Sequence, residues 1–252
     1  MLSVITAYAA GEVVASDCDE YKEGHLVAGM LGWEDYTLFR PSPGVLISKI
    51  DAAGDGFPLS HHMSALGTSG MTAYAGLFEL GKPAKGEKVF VSAASGSVGS
   101  LVGQFAKLAG CYVVGCAGTQ AKVLAPTTSY FPDGIDIYYE NVGGEMLEAA
   151  LANMNTYGRV AVSGVMSEYT GSGRRAVPNM EQVIYKRITI RGFLAWDFLA
   201  KFHEFNAVIG DWIRQGKVQV LEDVSDGLDS VPSAFAALFR GENIGKKLVK
   251  LA

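Results

Sequence analysis

The most constraining feature of the sequence is a glycine turn between an apolar strand and a helix. The apolar run Lys88–Ser92 leads into Ala93-Ala-Ser-Gly-Ser-Val-Gly-Ser100, and apolar residues then recur at helical spacing until Gly110. The next segment, "CYVVGCAG", is strand-like again. A strand, a Gly-x-x-Gly turn, a helix and a second strand form the unit that binds a dinucleotide pyrophosphate at a helix N-terminus.

Each residue of this turn has an expected role. Gly96 allows the backbone to approach the phosphates, Gly99 allows the helix to pack closely on the strand, and Ser97 and Val98 complete the turn. Ala94 stands where the dinucleotide fingerprint has its first glycine, which serves only the tight turn. We predict that these residues bind a cofactor. The alternative is an ordinary strand-to-helix turn whose small residues serve packing.

The end of the following strand indicates which cofactor it is. NAD sites usually offer Asp or Glu there for the ribose 2′-hydroxyl, whereas this strand ends at Gly115–Thr119 and is followed by Gln120, Ala121 and Lys122. No carboxylate would repel a 2′-phosphate, and Lys122 is placed to pair with one. We therefore predict NADP(H), with Gly118 and Lys122 among the cofactor contacts.

The rest of the chain alternates in the same way. Up to about residue 60 it consists of short strand-like segments and turns, and a helical pattern follows to residue 80. Three further apolar segments follow, "GIDIYYENVGG", "GRVAVSGVM" and "ITIRGFL", with the helical "EMLEAALANM" between the first two. An amphipathic helix is predicted over 198–215. Alternating strands and helices predict an α/β fold with a doubly wound parallel sheet.

Composition excludes several classes of partner and site. A chain of 252 residues, 49% of them hydrophobic, can bury a sizeable core. The net charge of −5, with both signs interspersed, predicts no surface for nucleic acid or anionic membrane. No apolar run is long enough to span a membrane, and the N-terminus lacks the basic region of a signal peptide. Cys18, Cys111 and Cys116 show no paired spacing, which predicts free thiols and a cytoplasmic protein.

Neither zinc chemistry nor two other enzyme classes fit the sequence. The three cysteines offer neither a catalytic nor a structural zinc set. The neighbours His61 and His62 point in different directions on a helix, so we predict no metal site. The Tyr-x-x-x-Lys pair of short-chain dehydrogenases and the Gly-x-Ser-x-Gly nucleophile elbow are both absent.

Six segments resemble the zinc-independent medium-chain dehydrogenase/reductases, in particular the plant NADPH-dependent alkenal double-bond reductases, which are similar to prostaglandin reductase. They are "GMTAYAGLFE", "GEKVFVSAASGSVGSLVGQFAKLAGCYVVG", "GIDIYYENVGGEMLEAAL", "GRVAVSGVMSEY", "IYKRITIRGF" and "GENIGKKLV". The resemblance implies a Rossmann NADP(H)-binding domain over 61–207. It also implies a GroES-like, β-rich substrate domain formed by both chain ends, 1–60 and 208–252.

Two differences from that family carry expectations of their own. The family's chains begin well before this one, so we expect the GroES-like domain to be N-terminally truncated. The segment after Lys122 is shorter than in the family, so we expect the sheet to lack an edge strand of the order 3-2-1-4-5-6.

The resemblance also implies cofactor contacts outside the glycine turn. They are Lys122 at the 2′-phosphate, Asn141 near the ribose, Ser163 and Tyr169 by the nicotinamide half, Phe193, Leu194 and Ala195 at the nicotinamide through their backbone, and Asn243 at a phosphate. In the family, the tyrosine that matches Tyr169 faces both cofactor and substrate, so its hydroxyl is the expected catalytic group.

The implied activity is NADPH-dependent reduction of the carbon–carbon double bond of α,β-unsaturated aldehydes and ketones. A hydroxyl donor such as Tyr169 would stabilise the enolate left by hydride addition. The family usually forms homodimers through its Rossmann sheets, and "ITIRGFLAW" is the expected edge. Two alternatives remain open: a non-catalytic NADP-binding remnant of the family, and a quinone reductase of the same superfamily.

Overall fold

The N-terminal part of the chain forms a small antiparallel sheet. The computed structural model describes residues 4–42, 47–50, 52–117, 130–169 and 179–251. Its first strands, β1 (Thr6–Glu12), β2 (Leu26–Gly32) and β3 (Ile47–Ile50), pair in the order β1-β2-β3. Helical segments follow: α1 (Ala52–Asp55), α2 (Leu59–Met63), α3 (Thr68–Tyr74) and a π-helical turn, Ala75–Gly81.

A five-stranded parallel sheet forms the centre of the molecule. Its strands are β4 (Lys88–Val91), β5 (Tyr112–Gly115), β6 (Ile135–Glu140), β7 (Met154–Val162) and β8 (Thr189–Gly192). They lie in the order β5-β4-β6-β7-β8, and every neighbouring pair is parallel. This is the 2-1-4-5-6 portion of the doubly wound order, so the predicted fold class is confirmed. Within the ranges given above, no strand lies beyond β5.

Helices cover both faces of this sheet. They are α4 (Ser97–Leu108), α5 (Gly144–Asn153), α6 (Met166–Tyr169), α7 (Met180–Tyr185) and α8 (Phe202–Arg214), with a 3₁₀ segment, Ala195–Lys201, before α8. On one face Val89 packs with Phe105 of α4 and Ile209 of α8, and on the other Tyr138 packs with Leu151 of α5. Burial on both faces explains why the central strands β4 and β6 are nearly continuous apolar runs.

The C-terminal part returns to the N-terminal sheet. It contains β9 (Glu222–Asp226), a 3₁₀ turn (Leu228–Ser230), α9 (Val231–Arg240) and β10 (Lys246–Lys250), and β9 and β10 pair in parallel. The rings of Trp33, which directly follows β2, and Phe235 on α9 meet edge to face at 5.5 Å. The two ends of the chain therefore pack against each other.

No helix in the ranges that the structure covers is both long and apolar enough to cross a membrane.

Candidate functional site: a cleft at the carboxyl ends of the parallel strands

The glycine turn leaves the N-terminus of α4 uncapped by any described side chain. Gly96 is the N-cap in extended conformation, and α4 has no side-chain capping bond there. Hydrogen bonds from Ala94 N–H to Cys116 O (2.8 Å) and from Gly96 N–H to Ala93 O (3.0 Å) hold the turn in place. The first N–H groups of a helix have no partner within it, and the helix dipole favours an anion there. The N-terminus of α4, which begins at Ser97, is therefore suited to binding an anion.

Gly99 fits only because it lacks a side chain. A Cβ at Gly99 would lie 2.4 Å from the carbonyl oxygen of Ala93, whereas one at Gly96 would lie 3.3 Å from that oxygen. Gly99 thus allows α4 to pack directly on the turn. Gly115 at the end of β5 has a similar role that the sequence did not reveal, because its Cβ would lie 2.5 Å from the Cβ of Ala94.

The loop before β10 forms a second wall of the turn. Gly245 N–H donates to Ser95 O at 2.7 Å, and Gly245 bridges to Gly96. Asn243 donates from Nδ2 to Gly245 O at 2.8 Å. An amide NH₂ group has two hydrogens, so one remains for a further acceptor. The structure therefore brings Asn243 beside the glycine turn, although the two are far apart in sequence.

Asn141 follows β6 and is held against Ser92, which follows β4. Its backbone N–H donates to Ser92 Oγ at 2.8 Å, and its Nδ2 donates to Ser92 O at 2.7 Å. Because the partner at 2.7 Å is a carbonyl, which only accepts, the amide nitrogen must face it. This orientation leaves Oδ1 of Asn141 as a hydrogen-bond acceptor.

An open cleft of about 440 Å³ lies beside these residues, at the ends of β7 and β8. Nine residues line it: Val162, Ser163, Gly164, Val165, Tyr169, Gly192, Phe193, Leu194 and Asp197. Ser163, Tyr169, Phe193 and Leu194, which the sequence assigned to the nicotinamide half, are thus brought together. Tyr169 is 66% exposed, so its hydroxyl is accessible to a small molecule in the cleft. Ala195 is not part of the lining.

Asp197 is a cleft residue that sequence reasoning missed. Leu194 N–H donates to Asp197 Oδ2 at 3.0 Å, and Asp197 N–H donates to Leu194 O at 3.1 Å. Both backbone groups of Leu194 are therefore engaged by one aspartate. The sequence could have indicated this role, because an acidic residue in the first turn of a helical segment accepts hydrogen bonds from the free backbone N–H groups there.

The segment "GMTAYAG" (70–76) forms the wall behind the cleft, a structural role that sequence reasoning also missed. A Cβ at Gly76 would lie 2.5 Å from Phe193 Cζ and 2.6 Å from Tyr139 Cε2, so the π-helical turn approaches both rings closely. Tyr139 donates its hydroxyl to Thr72 O at 2.7 Å. Burial raises the pKa of the Tyr139 phenol well above its ordinary value, against a smaller lowering by Ser163. Tyr139 is therefore a neutral structural support for Phe193.

Two predicted cofactor contacts, Gly118 and Lys122, lie outside the described residues. As for metal ions, the described parts of the chain contain no group of three or more His, Cys, Asp or Glu residues that could hold one. His62 Nε2 instead faces Asp55 Oδ2 at 3.3 Å.

Comparisons with known proteins agree on one family. The family model described as zinc-binding dehydrogenase matches residues 116–249, more than half of the 252-residue chain. The chain is 45% identical to the 2-alkenal reductase (NADP(+)-dependent) of Nicotiana tabacum, over 99% of this chain and 78% of that protein. It is 41% identical to the (+)-pulegone reductase of Mentha piperita, again over 99% of this chain and 78% of the relative.

A solved structure gives the same result. The crystal structure of CurA from Vibrio vulnificus in complex with NADPH superposes with a TM-score of 0.86 at 32% identity, covering 98% of this chain and 80% of that one. Both the sequence and the fold are thus those of a reductase of this kind. The chain belongs to the zinc-binding dehydrogenase family and, within it, to the zinc-independent medium-chain reductases that include the plant 2-alkenal and pulegone reductases.

Proposed function

We propose that the protein is an NADPH-dependent reductase that saturates the carbon–carbon double bond of α,β-unsaturated aldehydes and ketones. The observation that carries this proposal is a juxtaposition. An uncapped glycine turn and an open cleft with an accessible Tyr169 hydroxyl lie along the same edge of the sheet. In open α/β sheets, ligands bind at the carboxyl ends of the strands. The relatives, named as alkenal and pulegone reductases, support the same substrate class.

The glycine turn fits the pyrophosphate of NADPH. A Cβ at Gly99 would fill the space between α4 and the turn, and the N–H groups of Ser97, Val98 and Gly99 stand at the positive end of the α4 dipole. We assign the second N–H of the Asn243 amide to a phosphate oxygen, and Oδ1 of Asn141 to a ribose hydroxyl.

The remaining cofactor contacts follow from the cleft and from the sequence. Ser163 and the segment Phe193–Ala195 would hold the nicotinamide half. Gly118 and Lys122 would meet the 2′-phosphate half, because a lysine there pairs with the additional charge of NADPH.

Tyr169 is the proposed catalytic residue. When bound, NADPH supplies a hydride, which adds to the β-carbon of the substrate while the π electrons of the double bond move toward the carbonyl oxygen. The Tyr169 hydroxyl donates a hydrogen bond to that oxygen and stabilises the enolate, as donors in an oxyanion hole do. The α-carbon then takes a proton from water, so one hydride and one proton have added across the double bond.

Product analysis tests this function. The protein, NADPH and a medium-chain 2-alkenal should yield the saturated aldehyde by mass spectrometry, whereas the allylic alcohol as product would overturn the proposal. Tyr169→Phe should lower kcat by roughly ten- to a thousandfold, the range for loss of an oxyanion donor, and weaken the binding of NADPH much less than it lowers kcat. Tyr185→Phe is the matched control, because Tyr185 is equally exposed at 72% but lies outside the cleft.

The same assay separates the two alternatives. NADPH binding without turnover of any enone would favour a non-catalytic remnant of the family. Turnover of quinones in preference to enones would favour a quinone reductase.

We also propose that the protein is a homodimer that joins through β8. All four residues of this strand are exposed, although parallel strands are normally covered and unpaired edges invite a partner strand. Ile190 and Trp196 are 36% and 40% exposed beside the edge. Light scattering should show a dimer that Ile190→Lys dissociates, while Leu38→Lys, at a site 97% exposed elsewhere, should not. A monomer at micromolar concentration would contradict this.

Two further assignments belong to this proposal. We propose that residues 1–60 and 208–252 form the substrate domain and residues 61–207 the cofactor domain, a boundary that falls within α8, whose Ile209 packs against the central sheet. Cys18, Cys111 and Cys116 are all free, which suits the reducing cytoplasm.

A further inference from the structure

A fully buried carboxylate lies at the carboxyl end of β6, beneath the candidate site. The side chain of Glu140 is 0% exposed. Its Oε1 accepts hydrogen bonds from Ser92 Oγ at 3.0 Å and from Val142 N–H at 2.6 Å. Its Oε2 makes no direct hydrogen bond among the described residues, although the buried phenol of Tyr138 lies beside this carboxylate. Burying a carboxylate is costly unless its hydrogen bonds compensate, so the bonds that Glu140 does make indicate its role.

Ser92 connects this carboxylate to Asn141. Its hydroxyl oxygen accepts the Asn141 N–H at 2.8 Å, so the hydroxyl hydrogen is available for Glu140. The carbonyl of the same serine accepts Nδ2 of Asn141 at 2.7 Å. Ser92 is itself 0% exposed, so water does not compete for these bonds. Together they determine both the backbone position of Asn141 and the orientation of its amide.

The connection spans the centre of the sheet. Ser92 follows β4 and Asn141 follows β6, and these strands are neighbours although they are distant in sequence. In the doubly wound order this is the switch point, where the two nucleotide-binding halves meet. The Glu140 carbonyl also accepts the N–H groups of Ser163 and Gly164 at 2.9 and 3.2 Å, which joins the cleft to the same residue.

We propose that Glu140 and Ser92 are positioning residues that hold Oδ1 of Asn141 in place as the acceptor for a hydroxyl of the nicotinamide-side ribose. The inference rests on the proposed function, because it names NADPH as the ligand. Asn141 belongs to the second half of the sheet, which receives the nicotinamide half of a dinucleotide. The adenosine half would lie on the β5 side of the glycine turn, and none of the hydrogen bonds described above involves β5.

The test compares NADPH with 2′,5′-ADP, which occupies only the adenosine half. Ser92→Ala removes the hydroxyl link and should raise the Kd of NADPH about five- to twentyfold, the effect of losing a hydrogen-bonded acceptor. The Kd of 2′,5′-ADP should stay within about twofold. Ser233→Ala is the control, since Ser233 lies exposed on α9, far from this network, and its hydroxyl donates to Ser230 O. If Ser92→Ala raised the Kd of both ligands equally, or of neither ligand, the proposal would be overturned.

Variants of the carboxylate provide the second arm. Glu140→Gln keeps an oxygen that can accept from both Ser92 and Val142, so NADPH affinity should stay within about twofold of the wild type. Glu140→Ala removes the acceptor and should behave like Ser92→Ala. If Glu140→Ala does not fold, Ser92→Ala and Glu140→Gln decide the matter. If Glu140→Gln bound NADPH as weakly as Ser92→Ala does, the acceptor role of Glu140 would be contradicted. If the wild type bound neither NADPH nor 2′,5′-ADP, the proposed function itself would be refuted.

Discussion

The backbone N–H of Gly245 donates a 2.7 Å hydrogen bond to the carbonyl oxygen of Ser95, joining the loop before the last strand to the glycine turn. The contact continues as a parallel bridge between Gly245 and Gly96. The glycine turn is therefore supported from both sides, by Cys116 directly after β5 and by the C-terminal loop through Gly245. The shape of the turn therefore depends on a loop near the C-terminus of the chain.

Gly245→Ala should destabilise the protein and weaken NADPH binding together. Gly245 has a φ of +75°, and its Cβ would lie 2.0 Å from the carbonyl oxygen of Leu221, which is backbone and cannot rotate away. We expect a loss of about 3 kcal/mol or more in the free energy of unfolding, measured by urea denaturation. Gly227→Ala is the control, because its φ of +81° is similar but nothing lies within 4 Å. Equal losses in the two variants would show that only backbone conformation matters.

Gly99→Ala should abolish tight NADPH binding. The new Cβ would lie 2.4 Å from Ala93 O and 2.9 Å from Ala94 Cα, so α4 must move away from the turn. We expect the Kd from fluorescence titration to rise by more than about tenfold, as when several charge-assisted hydrogen bonds are misaligned. Gly103→Ala in the same helix meets nothing within 4 Å and should stabilise the protein by about 0.5–1 kcal/mol. Normal binding by Gly99→Ala would make the motif an ordinary structural turn.

Asp197→Ala should impair the cleft without unfolding the protein. The exposed Asp197 carboxylate accepts Leu194 N–H at 3.0 Å, and its loss should free the Phe193–Ala195 segment. We expect kcat/KM for NADPH to fall about three- to tenfold, the effect of losing one typical intramolecular hydrogen bond at an exposed position. Asp197→Asn retains an oxygen acceptor and should recover most of the activity. If both variants lose activity equally, the negative charge rather than the hydrogen bond is what matters.

Lys122→Ala should remove the preference for NADPH over NADH. The lysine follows a strand end that offers no carboxylate, so it is the expected partner of the 2′-phosphate. We expect NADPH binding to weaken by about 1–3 kcal/mol and NADH binding to stay nearly unchanged in parallel titrations. Wild-type protein that binds the two cofactors equally well would contradict the prediction.

Much of the fold could be predicted from the sequence, because its signals are local. The apolar run of β4, the helical spacing through Phe105 and the glycine that ends α4 each depend on residues within one or two turns of one another. The alternation of strands and helices also predicted the doubly wound parallel sheet, and the order of its strands was an expectation from the family resemblance. Element ends were less well predicted: the helix expected over 198–215 starts as a 3₁₀ segment at Ala195 and becomes α-helical at Phe202.

The sequence by itself determined the family, the glycine turn and the residue types of the cleft, because short motifs record them directly. Only the tertiary structure decided that Glu140 and Ser92 hold Asn141, that Asp197 engages both backbone groups of Leu194, and that Gly245 supports Ser95. Two of these three contacts join residues far apart in the chain. Which residues meet depends on the order and packing of the strands, because packing decides which donors and acceptors come within hydrogen-bonding distance.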